Sequence, residues 1–220
     1  MLDPALVFGT DRSNMPSMIK DCCQSNSETQ ASAKATCGPG RPRAFDEAEV
    51  LDAALQVFWQ QGYEATSLDD LTSAMGLSRS SFYSAFGSKQ GVFIAALKSY
   101  SQAAVEAFKE LSEQTSDDPV ATILTALANP NGGPRGCMLV NCITELAPHQ
   151  EEVAEIGRQH LKRIEDLLAQ AISPNDPASA SVKARALSAL AIGTLTLRKS
   201  GVPPEQISGT LDAAIELFTP

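Results

Sequence analysis

The chain has 220 residues, 43% of them hydrophobic, enough for one good core or two small ones. A formal net charge of −9 and a sequence pI of about 4.7 exclude a surface that binds nucleic acid everywhere, so any such contact must be local. No apolar run reaches the roughly 18 residues of a spanning helix, and the N-terminus lacks the basic and apolar regions of a secretory signal, so a cytoplasmic protein without a membrane partner is expected.

Residues 1–40 are rich in Ser, Thr, Asn, Gln and Ala, contain Phe8 as their single aromatic residue and have no sustained period. They cannot form a core, and a disordered tail is expected. Cys22, Cys23 and Cys37 lie there. Five cysteines without regular spacing make no disulfide framework, which fits a reducing compartment. Gly40-Arg41-Pro42-Arg43 follows. Pro42 fixes its own φ and pushes Arg41 towards an extended conformation. Extended arginines suit a narrow minor groove, where negative potential concentrates, although a basic linker held near DNA only by charge has the same composition. Lys34, Arg41 and Arg43 have no acid among them between Ala31 and Phe45, and the acids are expected on the far side of the molecule.

The period of Leu51, Ala54, Leu55 and Phe58 predicts a helix from about Asp46 to Gln61, with Asp46 as N-cap and Gly62 as its stop. A second helix carries Leu68, Leu71 and Met75 on one face. Thr66 is expected as its N-cap with Asp69 as partner, and Gly76 as a left-handed stop. Ser78 then caps a third helix from Arg79 to about Ala85. At 100° per residue Phe82 and Phe86 point inwards, while Ser80, Ser81 and Ser84, flanked by Arg79 and Tyr83, point out. Two short helices around such a turn have the layout of a helix-turn-helix, whose second helix enters the major groove. Periodicity alone equally allows an ordinary helical hairpin with a serine-rich solvated face, one that binds a protein rather than DNA.

Several local runs coincide here: Phe58 with Gly62-Tyr63, Thr66-Ser67-Leu68-Asp69-Asp70-Leu71, Met75-Gly76-Leu77-Ser78, and Phe82-Tyr83 leading into Phe86-Gly87-Ser88-Lys89. With them, residues 45–100 resemble the DNA-binding region of the TetR/AcrR family of bacterial transcriptional regulators. The resemblance covers about a quarter of the chain with residue-level motifs. It implies an all-α protein with a helix-turn-helix head over residues 41–92, including a basic arm, and an effector-binding and dimerisation bundle over 93–220. The expected DNA contacts are Arg41, Arg43, Thr66, Arg79, Ser80, Ser81, Tyr83, Ser84 and Lys89, with Thr66, Tyr83 and Lys89 on phosphates. The expected partners are an inverted-repeat DNA operator, a second copy of the chain and a small-molecule effector.

Lys89 opens a long helix to about Glu113, a lever between head and bundle. Asp117-Asp118-Pro119 starts the next, which stops at Asn129-Pro130. Arg135 to Ala147 holds a short helix whose Gly-Cys-Met start resembles one branch of the same family, in front of the effector pocket. Cys137 and Cys142 are candidate thiol sensors for an oxidant or electrophile, each acting alone. Five residues apart on a helix they differ by roughly 7.5 Å in rise, beyond the ~7 Å reach of a disulfide. Buried small-residue packing is the competing account of both. From Pro148 to Ile172 the stripe Val153, Ile156, His160, Ile164, Leu167 predicts a further helix. An effector pocket is expected among Phe108, Leu127, Met138, Cys142, Leu146, Ile156 and His160, suited to an apolar ligand with one polar handle. The last two helices, about Ala178–Ser200 and Pro204–Phe218, carry stripes through Leu190, Gly193 and Leu197 and through Leu211, Ile215 and Phe218. The family resemblance implies that these pair with their copies in a dimer. With two histidines, no Gly-rich phosphate loop and no metal-ligand spacing, neither catalysis nor a cofactor or metal is expected.

Overall fold

The computed structural model describes residues 45–114 and 118–218, and these form an all-α architecture. The expected tail and the Arg41–Arg43 arm lie outside the described residues, as do Cys22, Cys23 and Cys37. The helices are α1 (Glu47–Gln61), α2 (Leu68–Ala74), α3 (Arg79–Phe86), α4 (Lys89–Gln114), α5 (Pro119–Ala128), α6 (Met138–Glu145), α7 (Glu151–Ile172), α8 (Ser181–Lys199) and α9 (Pro204–Phe218). A 3₁₀ turn, Pro177–Ala180, leads into α8.

Local chemistry sets most of these limits. Asp46 caps α1 by accepting from the amides of Ala48 (2.8 Å) and Glu49. Asp118 caps α5 through the Ala121 amide at 2.9 Å, with Pro119 in the first turn, where its missing N–H costs nothing. α7 starts at Glu151 rather than Pro148, because His149 and Gln150 both donate to the Leu146 carbonyl and prolong the turn after α6.

Two clusters of buried residues result. The first joins α1, α2, α3 and the start of α4 through Phe58, Leu71, Phe82, Val92 and Leu97, and continues into Met138, Leu139, Val153 and Ile156. The second fills the bundle of α4, α5, α7, α8 and α9. α5 is its centre, with Val120, Ile123, Leu124, Ala126, Leu127 and Ala128 all buried and Thr122 and Thr125 on its less covered side. α4 belongs to both clusters and packs on α1, α5 and α7.

The face that α8 turns into the chain's own core is not the Leu190, Gly193 and Leu197 stripe expected to pair with a second copy. Ala184, Leu187, Ala191, Leu195 and Arg198 are buried, whereas Leu190 is half-buried, Gly193 exposed and Leu197 41% exposed. A Cβ at Gly193 would meet nothing within 4 Å. On α9, Leu211 is buried in the chain's own core, so it is withdrawn from the expected dimer set. Ile215 and Phe218 are half-buried against that core, and Leu217 is 81% exposed.

Candidate nucleic-acid interface and bundle cavities

The turn between α2 and α3 is built from backbone bonds that its residues make unavoidable. The Leu77 amide reaches back to the Thr72 carbonyl (3.0 Å) and the Gly76 amide to Ser73 (3.3 Å), a Schellman closure. It needs a left-handed residue, and Gly76 has φ 63°. At the other end of α2 the cap is Ser67, not Thr66. Ser67 Oγ accepts from the Asp70 amide at 3.1 Å, and the Asp70 carboxylate accepts from the Ser67 amide at 2.9 Å. Ser67 Oγ also donates to Asp70 Oδ2 at 2.6 Å, and this bond, with that from the Ser67 amide, holds the Asp70 carboxyl below its ordinary range. Ser78 caps α3 by accepting from the Ser81 amide at 3.1 Å, and its Oγ lies 3.0 and 2.9 Å from Ser80 Oγ and Ser81 Oγ.

α3 then has an inner and an outer side. Phe82 is fully buried, and its ring lies 5.9 Å from that of Phe86. Arg79, Ser80, Ser81, Tyr83 and Ser84 are all exposed, Tyr83 at 54%. Short hydroxyls on an exposed helical face admit close approach to base edges, and an exposed tyrosine reaches a phosphate or stacks on sugar. Arg79 is engaged: its Nη2 lies 2.6 Å and its Nε 3.2 Å from Asp69 Oδ1. This pairing was not among the sequence expectations. The turn brings the acid beside the arginine ten residues on, and the hydrogen bond raises the guanidinium further above its ordinary pKa.

Two expected phosphate contacts need correction. Thr66 is only 2% exposed, and its hydroxyl donates to the Gly62 carbonyl at 2.7 Å, facing into the head rather than towards solvent. Lys89 donates to the carbonyls of Thr66 (2.8 Å) and Glu64 (3.2 Å), and its ammonium sits 4.6 Å from the centre of the Tyr63 ring. It ties the α1–α2 loop to the start of α4. Residues 45–92 hold two basic and seven acidic side chains, and Asp69 lies on the outer face beside Arg79, so the acids are not all on the far side.

The expected pocket residues divide between two cavities. Met138, Cys142 and Leu146 line one of about 310 Å³ where α6 meets the head, opposite Trp59, Tyr63 and Phe93. Trp59 Nε1 is buried without a partner. Phe108, Leu127 and His160 line a much smaller cavity, about 20 Å³, inside the bundle, with Tyr100, Cys137 and Arg198. Ile156 is buried in the first core and lines neither. His160 Nδ1 lies 3.0 Å from Ser101 Oγ, and burial pushes its pKa down to about 4, so the ring is neutral near pH 7. Cys142 is buried and its thiol is pushed up to about 12, which removes the thiolate that a sensing cysteine needs. Cys137 is half-buried with its Sγ 3.6 Å from Tyr100 Oη. Arg198 was missed by sequence reasoning, and an arginine in the phase of the buried face of α8 was the available signal; Trp59, which the sequence offers as a ligand-binding aromatic but assigns to packing beside Phe58, lines the larger cavity. Among the described residues, no group of three or more His, Cys, Asp or Glu is placed to hold a metal, and no helix is long and apolar enough to cross a membrane.

Residues 50–96 match the family model described as bacterial regulatory proteins, tetR family. The chain is 35% identical over 133 residues to an uncharacterized HTH-type transcriptional regulator, YezE of Bacillus subtilis (strain 168), covering 58% of this chain and 68% of that one. It is 29% identical over 185 residues to the HTH-type transcriptional repressor BdcR of Escherichia coli (strain K12), covering 81% and 91%. Among solved structures it is similar to a cysteine mutant of the TetR family transcriptional regulator CifR complexed with 26bp double-strand operator DNA. The TM-score there is 0.67 at 27% identity, over 81% of this chain and 100% of that one.

Proposed function

The chain belongs to the TetR family of bacterial regulatory proteins, and on that premise we propose a cytoplasmic, homodimeric repressor that leaves an inverted-repeat operator when a small molecule enters its bundle. A member of this family is a DNA-binding regulator and not an enzyme. Residues 41–92 form the reading head and 93–220 the effector and dimerisation part. Arg79, Ser80, Ser81, Tyr83 and Ser84 meet the major groove, and the Arg41–Arg43 arm meets the minor groove. With so few cations in the head, that arm supplies much of the phosphate attraction.

One observation carries the coupling. α4 begins at Lys89, directly behind the recognition helix, and the same helix supplies Phe93 to the larger cavity and Tyr100, Ala104 and Phe108 to the smaller. A ligand that parts the bundle must therefore move or tilt the support of α3. The effector favours a state in which two recognition helices no longer match successive major grooves, about 34–36 Å apart. The unpartnered side of α8, with Leu190, Gly193 and Leu197, together with Leu217 of α9, offers the apolar surface for the second copy.

Selection of DNA fragments with the purified full chain tests the reading. An enriched inverted repeat, bound by two chains in sedimentation, is expected. Recovery of no common sequence would sink it.

A further inference from the structure

Arg198 ends α8 inside the bundle at 9% exposure. Its Nη1 donates to the carbonyl of Ala128 at 3.0 Å and to that of Asn129, the last acceptors of α5. The partial negative charge of a helix C-terminus, about half a unit, offsets only part of the guanidinium's charge. Arg198 makes no salt bridge with any described residue, and its Nε is buried without a hydrogen-bond partner. Burial pulls its pKa down, opposed only by Cys137 and Tyr100. The backbone of Gly132 lies close against the same guanidinium, which a Cβ there would strike.

The surroundings supply no missing anion. His160 is neutral, and burial pushes the Tyr100 hydroxyl well above its usual pKa, so it too stays uncharged. The rest of the lining holds no carboxylate: Ala104, Phe108, Leu127, Asn129, Gly136, Cys137 and Leu195. A buried cation with an unmet donor is costly, and a ligand that completes it recovers that cost. The guanidinium edge that contains Nε matches a carboxylate in shape as well as charge.

We infer that this inner cavity binds the carboxylate of a small organic acid, with Arg198 Nε as the anchoring donor and the acid's apolar body against Phe108, Leu127 and Leu195. The inference deepens the effector reading given above and rests on it for its regulatory meaning. The cavity holds about 20 Å³, room for about one water. Any organic acid must therefore part α4 from α5, α7 and α8, so binding and displacement of α4 are one event.

The test uses the full chain and three acids, butyrate, hexanoate and benzoate, each beside its primary amide, in calorimetric titrations at fixed ionic strength. At least one acid should bind once per chain and about tenfold or more tightly than its amide. Arg198→Gln should erase that preference. Because this substitution also removes the guanidinium that the Ala128 and Asn129 carbonyls share, Ala104→Leu serves as a second variant: it keeps the guanidinium, fills the space and should abolish binding. Equal binding of acids and amides overturns the inference, and so does no binding of any acid at millimolar concentration or unchanged binding by Ala104→Leu. Operator affinity in the presence of the bound acid is read separately. A fall supports both readings; an unchanged value leaves the carboxylate site standing and removes its role as effector site.

Discussion

On the outer face of the head, the side chain of Arg79 is 66% exposed and its guanidinium forks onto Asp69. Inside the bundle, Arg198 is 9% exposed, and its guanidinium meets two carbonyls but no acid. Water already solvates the first, so its ion pair is worth little and gives way readily to phosphate or guanine. The second has lost its water and cannot be rearranged cheaply. The same side chain thus serves as a mobile contact in one region and as a fixed polar centre in the other. Perturbing the interior should change stability and its pH dependence, and perturbing the exterior should change DNA affinity and its salt dependence.

The largest expected effect is in the interior. His160 has its pKa lowered from 6.5 to about 4 by burial. The unfolded chain therefore takes up a proton near pH 6.5 while the folded chain refuses it until about pH 4. Stability is full above the upper value and falls through that window, by about 3 kcal/mol, before levelling. Urea unfolding at several pH values should show this slope, and His160→Gln should flatten it. A slope unchanged by the substitution would assign the titration to other groups. Next comes Arg198→Met, which leaves the Ala128 and Asn129 carbonyls without their shared donor and should cost about 2 kcal/mol in the same assay. A loss of only a few tenths would make the interior arginine as dispensable as the exterior one and erase the contrast.

The exterior was far more legible in the sequence than the interior, for a physical reason. Capping boxes, Schellman turns and short amphipathic helices are fixed by residues within about five positions of one another. The misplaced cap of α2 shows the limit of such signals. Thr66 with Asp69 and Ser67 with Asp70 are equivalent hydroxyl–acid pairs in sequence, and only the burial of Thr66 under the loop selects the second. On α8 two apolar phases compete. Ala186, Leu190, Gly193 and Leu197 satisfy the helical period, and so do Ala184, Leu187, Ala191 and Leu195. The second phase runs on into Arg198, a residue ordinarily assigned to the surface, yet that phase is the buried one. The division of the pocket residues between two cavities depends on contacts between helices far apart in sequence, which periodicity does not encode.

Tyr83 lies between the extremes. It is exposed on the serine face, with its ring edge-on to Phe82 at 5.7 Å. Tyr83→Ala should lower operator affinity by about 1–2 kcal/mol with the melting temperature nearly unchanged, since α3 is held through Phe82 and its caps. Equal losses in stability and affinity would show that the ring supports the helix rather than reads DNA.

The smallest effect is expected from Asp69→Asn, and its sign is the most informative. Removing the acid frees Arg79 and lowers the negative charge facing the phosphates. Because the pair is exposed, folding stability should hardly move. Operator affinity should rise a few-fold at low salt, and the gain should shrink as salt screens the lost repulsion. Gel-shift titrations at two salt concentrations, with Arg79→Ala as the matched control, separate the two parts of the effect. If the gain persists in Arg79→Ala, it comes from lost repulsion alone. If it vanishes there, Asp69 acts by holding Arg79 away from DNA. A loss of affinity in Asp69→Asn would mean that the acid aims the arginine at its base, and the exterior ion pair would then be a positioning element instead of an easily displaced one.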